Sequence, residues 1–453
     1  MKRYTVLLLM FFGLLVPMAA QALPSFARQT GQSCVACHAG GQFPELTPYG
    51  RLFKLTGYTI GKRTAVPLSA MVVASYTKTS NTDSSNPSVD FAKDAVALFQ
   101  TGSLFVAGKV TNNIGVFSQV TYDNYANQNP DTLAWGGHTH VDNVDIRYAD
   151  RFTDPSRDLI VGLTLNNNPS VADVWTTAPA WIQYVPTKFG FTGSPTTPIV
   201  AQLGQQVRGL GAYTFWNQTV YAEVASYQTA KGAFSFLKAG NDINNRLKGS
   251  NPYVRLALSH EWGPHNAMIG AFGMNASIYP DPNSPTGPTT RYRDRGIDAQ
   301  YQYLLDPHTV TAQVSYIRES IRGGDATGVS TNESNTLNQL KLKGSYIYRA
   351  KYGTSLSYFR TTGSSDATSY PGLQDDGSGT GTMVPIPISG SISNNPETRG
   401  WIPEVFWTPI QYVRVGAQYF KYDRYSGASG NYDGAGRNAK DNNTLFVYLW
   451  GAY

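Results

Sequence analysis

The sequence predicts an all-β chain, a transmembrane outer-membrane β-barrel of about 16 antiparallel strands. Three observations predict it. Apolar and polar residues alternate through most of residues 66–453. The connections between alternating runs are short and long by turns. The final run, Leu445 to Tyr453, alternates to its end and stops on an aromatic residue.

Composition supports this class. Charged residues are 15% of the 453, below the usual ~25%. Mean hydropathy is nevertheless negative, −0.29, which excludes a bundle of membrane helices. Aromatics are 13%, led by 29 Tyr, which excludes disorder. A chain that is apolar at every other residue accounts for both facts.

The N-terminus reads as a secretory signal peptide over residues 1–22. Lys2 and Arg3 form a positive region, Val6 to Met18 an apolar one, and Ala20-Gln21-Ala22 a small-x-small cleavage site. The apolar run is shorter than the ~20 residues a spanning helix needs.

Residues 23–65 form a distinct segment. Its cysteines, Cys34 and Cys37, are the only two in the chain, and His38 follows them. Cys-x-x-Cys-His is the attachment signature of one c-type haem. The two thiols bond the two vinyl groups, and the histidine that follows ligates the iron from below. A zinc site would need four ligands. The segment is too short to build a sizeable core of its own, and covalent haem would help to order it. It runs into the first strand without a flexible linker, so the haem belongs at the turn-side mouth of the barrel or inside it.

The barrel strands follow. On the first, Ser69, Met71, Val73, Ser75 and Thr77 share the lumenal parity; Leu68, Ala70, Val72, Ala74 and Tyr76 face lipid. Ile114, Val116, Val120 and Tyr122 share a face, as do Leu159, Val161, Leu163 and Leu165. Gln339, Lys341, Lys343 and Ser345 oppose Leu340, Leu342 and Tyr346; Arg414 and Gln418 oppose Val413, Val415 and Tyr419. Such period-two patterns are strands with one polar and one apolar face. Met268 and Met274 fall on the lipid side of this parity. Short connections include Lys109–Asn112, Arg151–Arg157 and Asp306–His308; long ones include Asn124–Gly137, Asn166–Thr196 and Gly363–Pro396. That is the periplasmic-turn and extracellular-loop alternation of a bacterial barrel, with both chain ends periplasmic.

The segment 39–70 holds no His and no Met to complete the iron's coordination. Met71, nearest in sequence and lumenal by parity, is the candidate distal ligand. His138 and His140 open a strand near the outer rim. Arg28, Arg51 and Lys54 are candidate contacts for the haem propionates. Asp83, Asp90, Asp375 and Asp376 are loop acids that could meet a hard cation.

Pro24-Ser25-Phe26-Ala27-Arg28-Gln29-Thr30-Gly31, the Cys34–His38 motif, and the run from Phe43-Pro44-Glu45-Leu46-Thr47-Pro48-Tyr49-Gly50 to Tyr58 resemble the fused cytochrome–porin family. These are outer-membrane monohaem cytochromes with an N-terminal haem segment and a C-terminal barrel. The resemblance implies covalent haem at Cys34 and Cys37, His38 as proximal ligand, and iron(II) oxidation at the cell surface.

The expected function is therefore electron transfer across the outer membrane. One haem c takes electrons from an extracellular donor, Fe(II), and a periplasmic c-type cytochrome receives them, an iron(II):cytochrome c oxidoreductase type of activity. A diffusion porin with an accessory haem is the alternative, and a haem peroxidase a third. The net charge of +6 falls to +4 when Lys2 and Arg3 leave with the signal. Arg28, Arg51, Lys54, Lys62 and Arg63 against Glu45 give residues 23–63 the same +4, so the barrel is neutral. The basic excess belongs beside haem propionates, not a nucleic acid.

Overall fold

The computed structural model describes residues 24–41, 43–83, 94–129, 131–132, 134–177 and 194–453. The expected signal peptide lies outside these residues, as does Asp90.

Sixteen strands close into one antiparallel barrel. They are β1 (Leu68–Thr79), β2 (Ala97–Lys109), β3 (Ile114–Gln128), β4 (Trp135–Asp154), β5 (Arg157–Asn166), β6 (Val207–Trp216), β7 (Val220–Thr229) and β8 (Asn251–Trp262). Next come β9 (His265–Ile278), β10 (Thr290–Leu305), β11 (His308–Arg322), β12 (Ser334–Tyr348) and β13 (Tyr352–Gly363). A hairpin, β14 (Leu373–Asp375) and β15 (Met383–Pro385), stands apart in a loop. The wall resumes with β16 (Thr398–Ile410), β17 (Val413–Arg424) and β18 (Thr444–Ala452). β18 pairs with β1, Met71 opposite Ala452, which removes the last open edge.

Outside, the wall is apolar. Leu104, Leu256, Ile269, Ile297 and Val405 are each at least 60% exposed. An apolar band running round the whole circumference is a lipid contact; soluble monomers expose only isolated patches. Trp216, Trp262, Tyr352 and Trp407 ring the end that carries the tight turns; Tyr122, Tyr316, Trp401 and Tyr419 stand toward the end that carries the loops. Such aromatic girdles sit at membrane–water interfaces.

Inside, polar residues alternate with aromatics. The expected parity holds on β1, β5, β12 and β17. Met268 and Met274 are a correction: both are buried in the lumen. β9 places Ala267, Ile269, Ala271 and Gly273 outward, and its methionines pack on chain that folds into the barrel. The interior there is apolar, so hydrophobicity alone does not mark the lipid face. A second correction concerns the stretch 124–137, expected as a loop. β3 runs on to Gln128 and β4 begins at Trp135, so the strand expected to open at His138 starts three residues before it.

Two pieces of chain fill the lumen. From the turn end, residues 24–63 form three helices, α1 (Pro24–Thr30), α2 (Cys34–Cys37) and α3 (Pro48–Leu55). From the loop end, the described parts of the connection between β5 and β6, 167–177 and 194–206, fold inward, burying Val174, Trp175, Ile199 and Val200 completely. They meet at mid-barrel, where Leu52 and Leu55 pack on Trp175.

Candidate functional site

Local chemistry builds the site. α2 is a single turn, so Cys34 and Cys37, three apart, share one helical face. His38 leaves the helix in an extended conformation, its N–H donating to Cys34 O at 2.8 Å. The chain then doubles back. Ala39 N–H donates to Glu45 O (3.0 Å), and Thr47 N–H to Cys37 O (2.9 Å). Thr47 also caps α3, its side chain accepting from Gly50 N–H, with Pro48 in the first helical turn. Gly50 is required by contact: a Cβ there would stand 2.1 Å from Cys37 O. α3 thus lies directly against the cysteine motif.

Cys34, Cys37 and His38 open onto a cavity of about 550 Å³. Its walls include Phe26, Phe53, Phe105, Phe117, Val73 and Trp450. This volume is within the roughly 300–1,000 Å³ usual for cofactor pockets, and the aromatic lining suits a flat apolar ring. Phe43 packs on His38 (ring centroids 4.1 Å) and on Trp450 (5.3 Å). Met71 lines the same cavity and packs into the cluster of Val73, Tyr448 and Trp450.

The electrostatics concern the thiols and the imidazole. Burial pushes the Cys37 thiol up to about 11. Burial, and then the Arg414 guanidinium, hold His38 down at about 3, so the ring stays neutral. Neutral imidazole is the form that ligates metals. Buried Nδ1 of His38 has no hydrogen-bond partner among the described residues. A buried neutral imidazole with an unsatisfied nitrogen is one that a bound group would satisfy. Two thiols, that imidazole and an apolar cavity fit a covalently attached haem.

The three expected propionate contacts separate. Lys54 lines the cavity; its ammonium donates to Val171 O and to Asp173 O (3.2 Å), and burial lowers it to about 8. Arg51 is redirected: it is buried and donates to Leu46 O (2.7 Å), Gln300 (3.2 Å), Gln302 (3.1 Å) and Asn266 (2.5 Å). Its donors are spent on the wall, away from the cavity. Arg28 is exposed at the rim and donates to Leu68 O.

Other wall contacts lock the segment in place. Lys343 pairs with Glu45, Arg414 donates to Gly41 O (3.1 Å), Tyr58 to Asp145 (2.6 Å), and Tyr213 to Leu55 O (2.8 Å). The inward connection is held by the wall as well. Arg255 pairs with Asp298 (2.5 Å) and Asp173 (3.6 Å), and Gln300 donates to Trp175 O (2.9 Å). Sequence reasoning took residues 166–196 for an outer loop. A tryptophan within such a loop, Val174-Trp175, was the available signal that part of it is buried.

Among the described residues, no three His, Cys, Asp or Glu side chains are gathered at metal-ligand distance. No family profile and no curated protein matches the sequence. Among solved structures, the chain is similar to Salmonella typhi OmpF in complex with daunomycin, at 11% identity over 85% of this chain and 97% of that one, TM-score 0.46. It is also similar to a loop L8 deletion mutant of OmpT, an outer membrane protein of Vibrio cholerae (8% identity, 85% and 98% covered, TM-score 0.44). A third is the outer membrane channel DcaP of Acinetobacter baumannii (11% identity, 85% and 96% covered, TM-score 0.42).

Proposed function

We propose that this porin-like barrel is an electron conduit of the bacterial outer membrane, with one haem c on Cys34, Cys37 and His38. The observation that carries the reading is the site itself. A Cys-x-x-Cys-His motif opens on a cofactor-sized aromatic cavity, and a neutral histidine has a nitrogen to spare. Haem bound there supplies reversible one-electron chemistry at iron.

The chain's own residues do the rest. Cys34 and Cys37 would anchor the ring, and packing on Phe43 orients His38. Met71, which lines the same cavity, would supply the second iron ligand, and a thioether there would raise the haem potential. Lys54 is the lumenal cation left to meet a propionate. Phe43, Phe53 and Trp450 exclude water. Cys34 lies beside the tight turn at Gln411, its thiol 3.5 Å from that residue's carbonyl, so one side of the cavity stands near the turn-side surface. A soluble periplasmic c-type cytochrome docking at that end would receive the electron. The donor, Fe(II), would arrive from the loop end, so that poorly soluble Fe(III) stays outside. The test is anaerobic mixing of purified holoprotein with excess Fe(II) while the haem spectrum is followed. Reduction supports the reading, and a haem that stays oxidised overturns it.

A diffusion porin with an accessory haem is the second reading. It is favoured by the strand number, since barrels of about 16–18 strands usually enclose an aqueous channel. Weighing against it, residues 24–63 and the inward connection meet across the lumen. Liposome swelling by small sugars at the rate of an open porin would favour it.

A further inference from the structure

The outer half of the lumen holds a second cavity, of about 430 Å³, at the loop end. Among the described residues its lining includes Asp123, His138, His140, Asp242, Gln100 and Gln205, and no lysine or arginine. A β-bulge creates it. On β3–β4 the register shifts between Ser118 and Val120, so that Asp142 and Asn143 are both accommodated opposite one residue. Bulges re-aim side chains beside functional sites. Before the bulge Asp145 and Arg147 face inward; beyond it the parity flips, and His140 and His138 pair with the lumenal Thr121 and Asp123.

The three side chains are close. His140 Nδ1 is 3.9 Å from Asp123 Oδ2, and the two imidazoles stack with centroids 6.2 Å apart, 11° from parallel. His138 Nε2 meets the Gly240 carbonyl. A carbonyl only accepts, so Nε2 carries the proton and Nδ1 keeps its lone pair. Donor atoms sharing one first-row ion at about 2.0–2.2 Å each lie roughly 3 Å apart. The three stand wider than that in this structure, and closing on one ion takes rotation of the half-exposed Asp123 and of both imidazoles. Two imidazoles and one carboxylate with open positions are the donor set that suits Fe(II).

The cavity also leads inward. Gln100 lines both it and the cavity of His38. Gln205 donates to Asp142 at 2.5 Å, and Asn143 donates to Asp142 (3.1 Å) and Gln119 (2.9 Å); Asp142, Asn143 and Gln119 all line the inner cavity.

The geometry points to Asp123, His138 and His140 as a capture site for one divalent first-row metal ion at the outer mouth. That the ion is Fe(II) rests on the electron-transfer reading above. The probe is Co(II), counted by equilibrium dialysis of detergent-solubilised holoprotein. Wild type binds one ion per barrel saturably, and the variants Asp123→Asn and His138→Ala/His140→Ala bind at least tenfold more weakly. An unchanged haem spectrum and heat-modifiable band certify each variant; a variant that fails this check is set aside and the other decides. No saturable Co(II) in wild type, or equal binding in a correctly folded variant, overturns the site. Fe(II) titrations separate the two ideas. If wild type binds Co(II) but its haem is not reduced by Fe(II), the metal site stands and the electron-transfer reading falls. If Fe(II) reduces wild type and variants with the same saturation, the reading stands and this site falls.

Discussion

Lys343 on β12 donates a hydrogen bond of 2.5 Å to Glu45 Oε1, between two side chains that are both buried. The pair ties the chain just beyond the Cys34–His38 motif to the barrel wall across 298 positions of sequence. Removing one partner leaves the other charge buried, which costs roughly 3–5 kcal/mol. Lys343→Met should therefore loosen residues 24–63, seen as faster proteolysis near the motif. Lys343→Met with Glu45→Leu should restore protection, because an apolar pair of similar volume removes both charges. Equal protection in the single variant and wild type would show that the pair carries no docking energy.

Gly50 against Cys37 predicts a narrower defect. A methyl 2.1 Å from a backbone carbonyl cannot be absorbed by a side-chain rotation. If Cys34 and Cys37 carry haem as proposed, Gly50→Ala should push α3 off the motif and lower haem attachment several-fold, measured as haem-specific peroxidase stain per unit of folded barrel. The heat-modifiable barrel band should be unchanged, because the clash falls on Cys37 within the lumenal segment and not on the strand ladder.

Trp175 is completely buried where the two lumenal pieces meet. A tryptophan-to-alanine change in a core costs about 3–5 kcal/mol. The loss here falls on the lumenal cluster that Trp175 shares with Leu52, Leu55, Phe215 and Tyr221, not on the strand ladder. Trp175→Ala should raise single-channel conductance in planar bilayers while leaving the barrel's thermal transition within a few degrees of wild type.

Lys54 carries a pH dependence. Burial holds its ammonium at about 8 in the folded state, against 10.5 when exposed. Between those values the unfolded or undocked segment binds more protons than the docked one, so docking strengthens as pH rises from 8 to 10.5. Tyrosines titrate in the same range, so the comparison is a difference. The change in protease protection between pH 8 and 10 should be more favourable in wild type than in Lys54→Met. Parallel profiles would mean that Lys54 titrates as though exposed.

Much of this was legible before any coordinates. Alternation marked the strands because a barrel wall has one wet and one lipid face, and Cys34, Cys37 and His38 were marked by spacing alone. The failures share a cause. Met268 and Met274 look like lipid-facing residues, but the lumen is itself partly apolar where Trp175 and Ile199 fill it. The reach of β4 to Trp135 was hidden because its outer end is rich in Gly, His and Asn, and because the bulge at Asp142–Asn143 breaks the alternation. Arg51 and Lys54 were both recognisable as cations near the Cys34–His38 motif. Which of them faces the cavity depends on how α3 is turned inside a barrel, a long-range fact with no local signature.

Met71 supplies the sharpest test of the cavity. It is the methionine among its lining residues, on the strand that closes the barrel with β18, and it packs with Val73 and Trp450. If its sulfur completes the coordination opposite His38, Met71→His should keep the iron six-coordinate and lower the reduction potential. The drop should be on the order of 100 mV, well within the ~0.8 V span that axial ligands command. Met71→Ala should instead open the position, so that carbon monoxide binds the reduced protein. A purely structural Met71 predicts another pattern: both variants would keep the wild-type potential and exclude carbon monoxide, because packing lost on β1 leaves the iron's ligands untouched. Redox titration and the carbon monoxide difference spectrum, read on the same two variants, separate these cases.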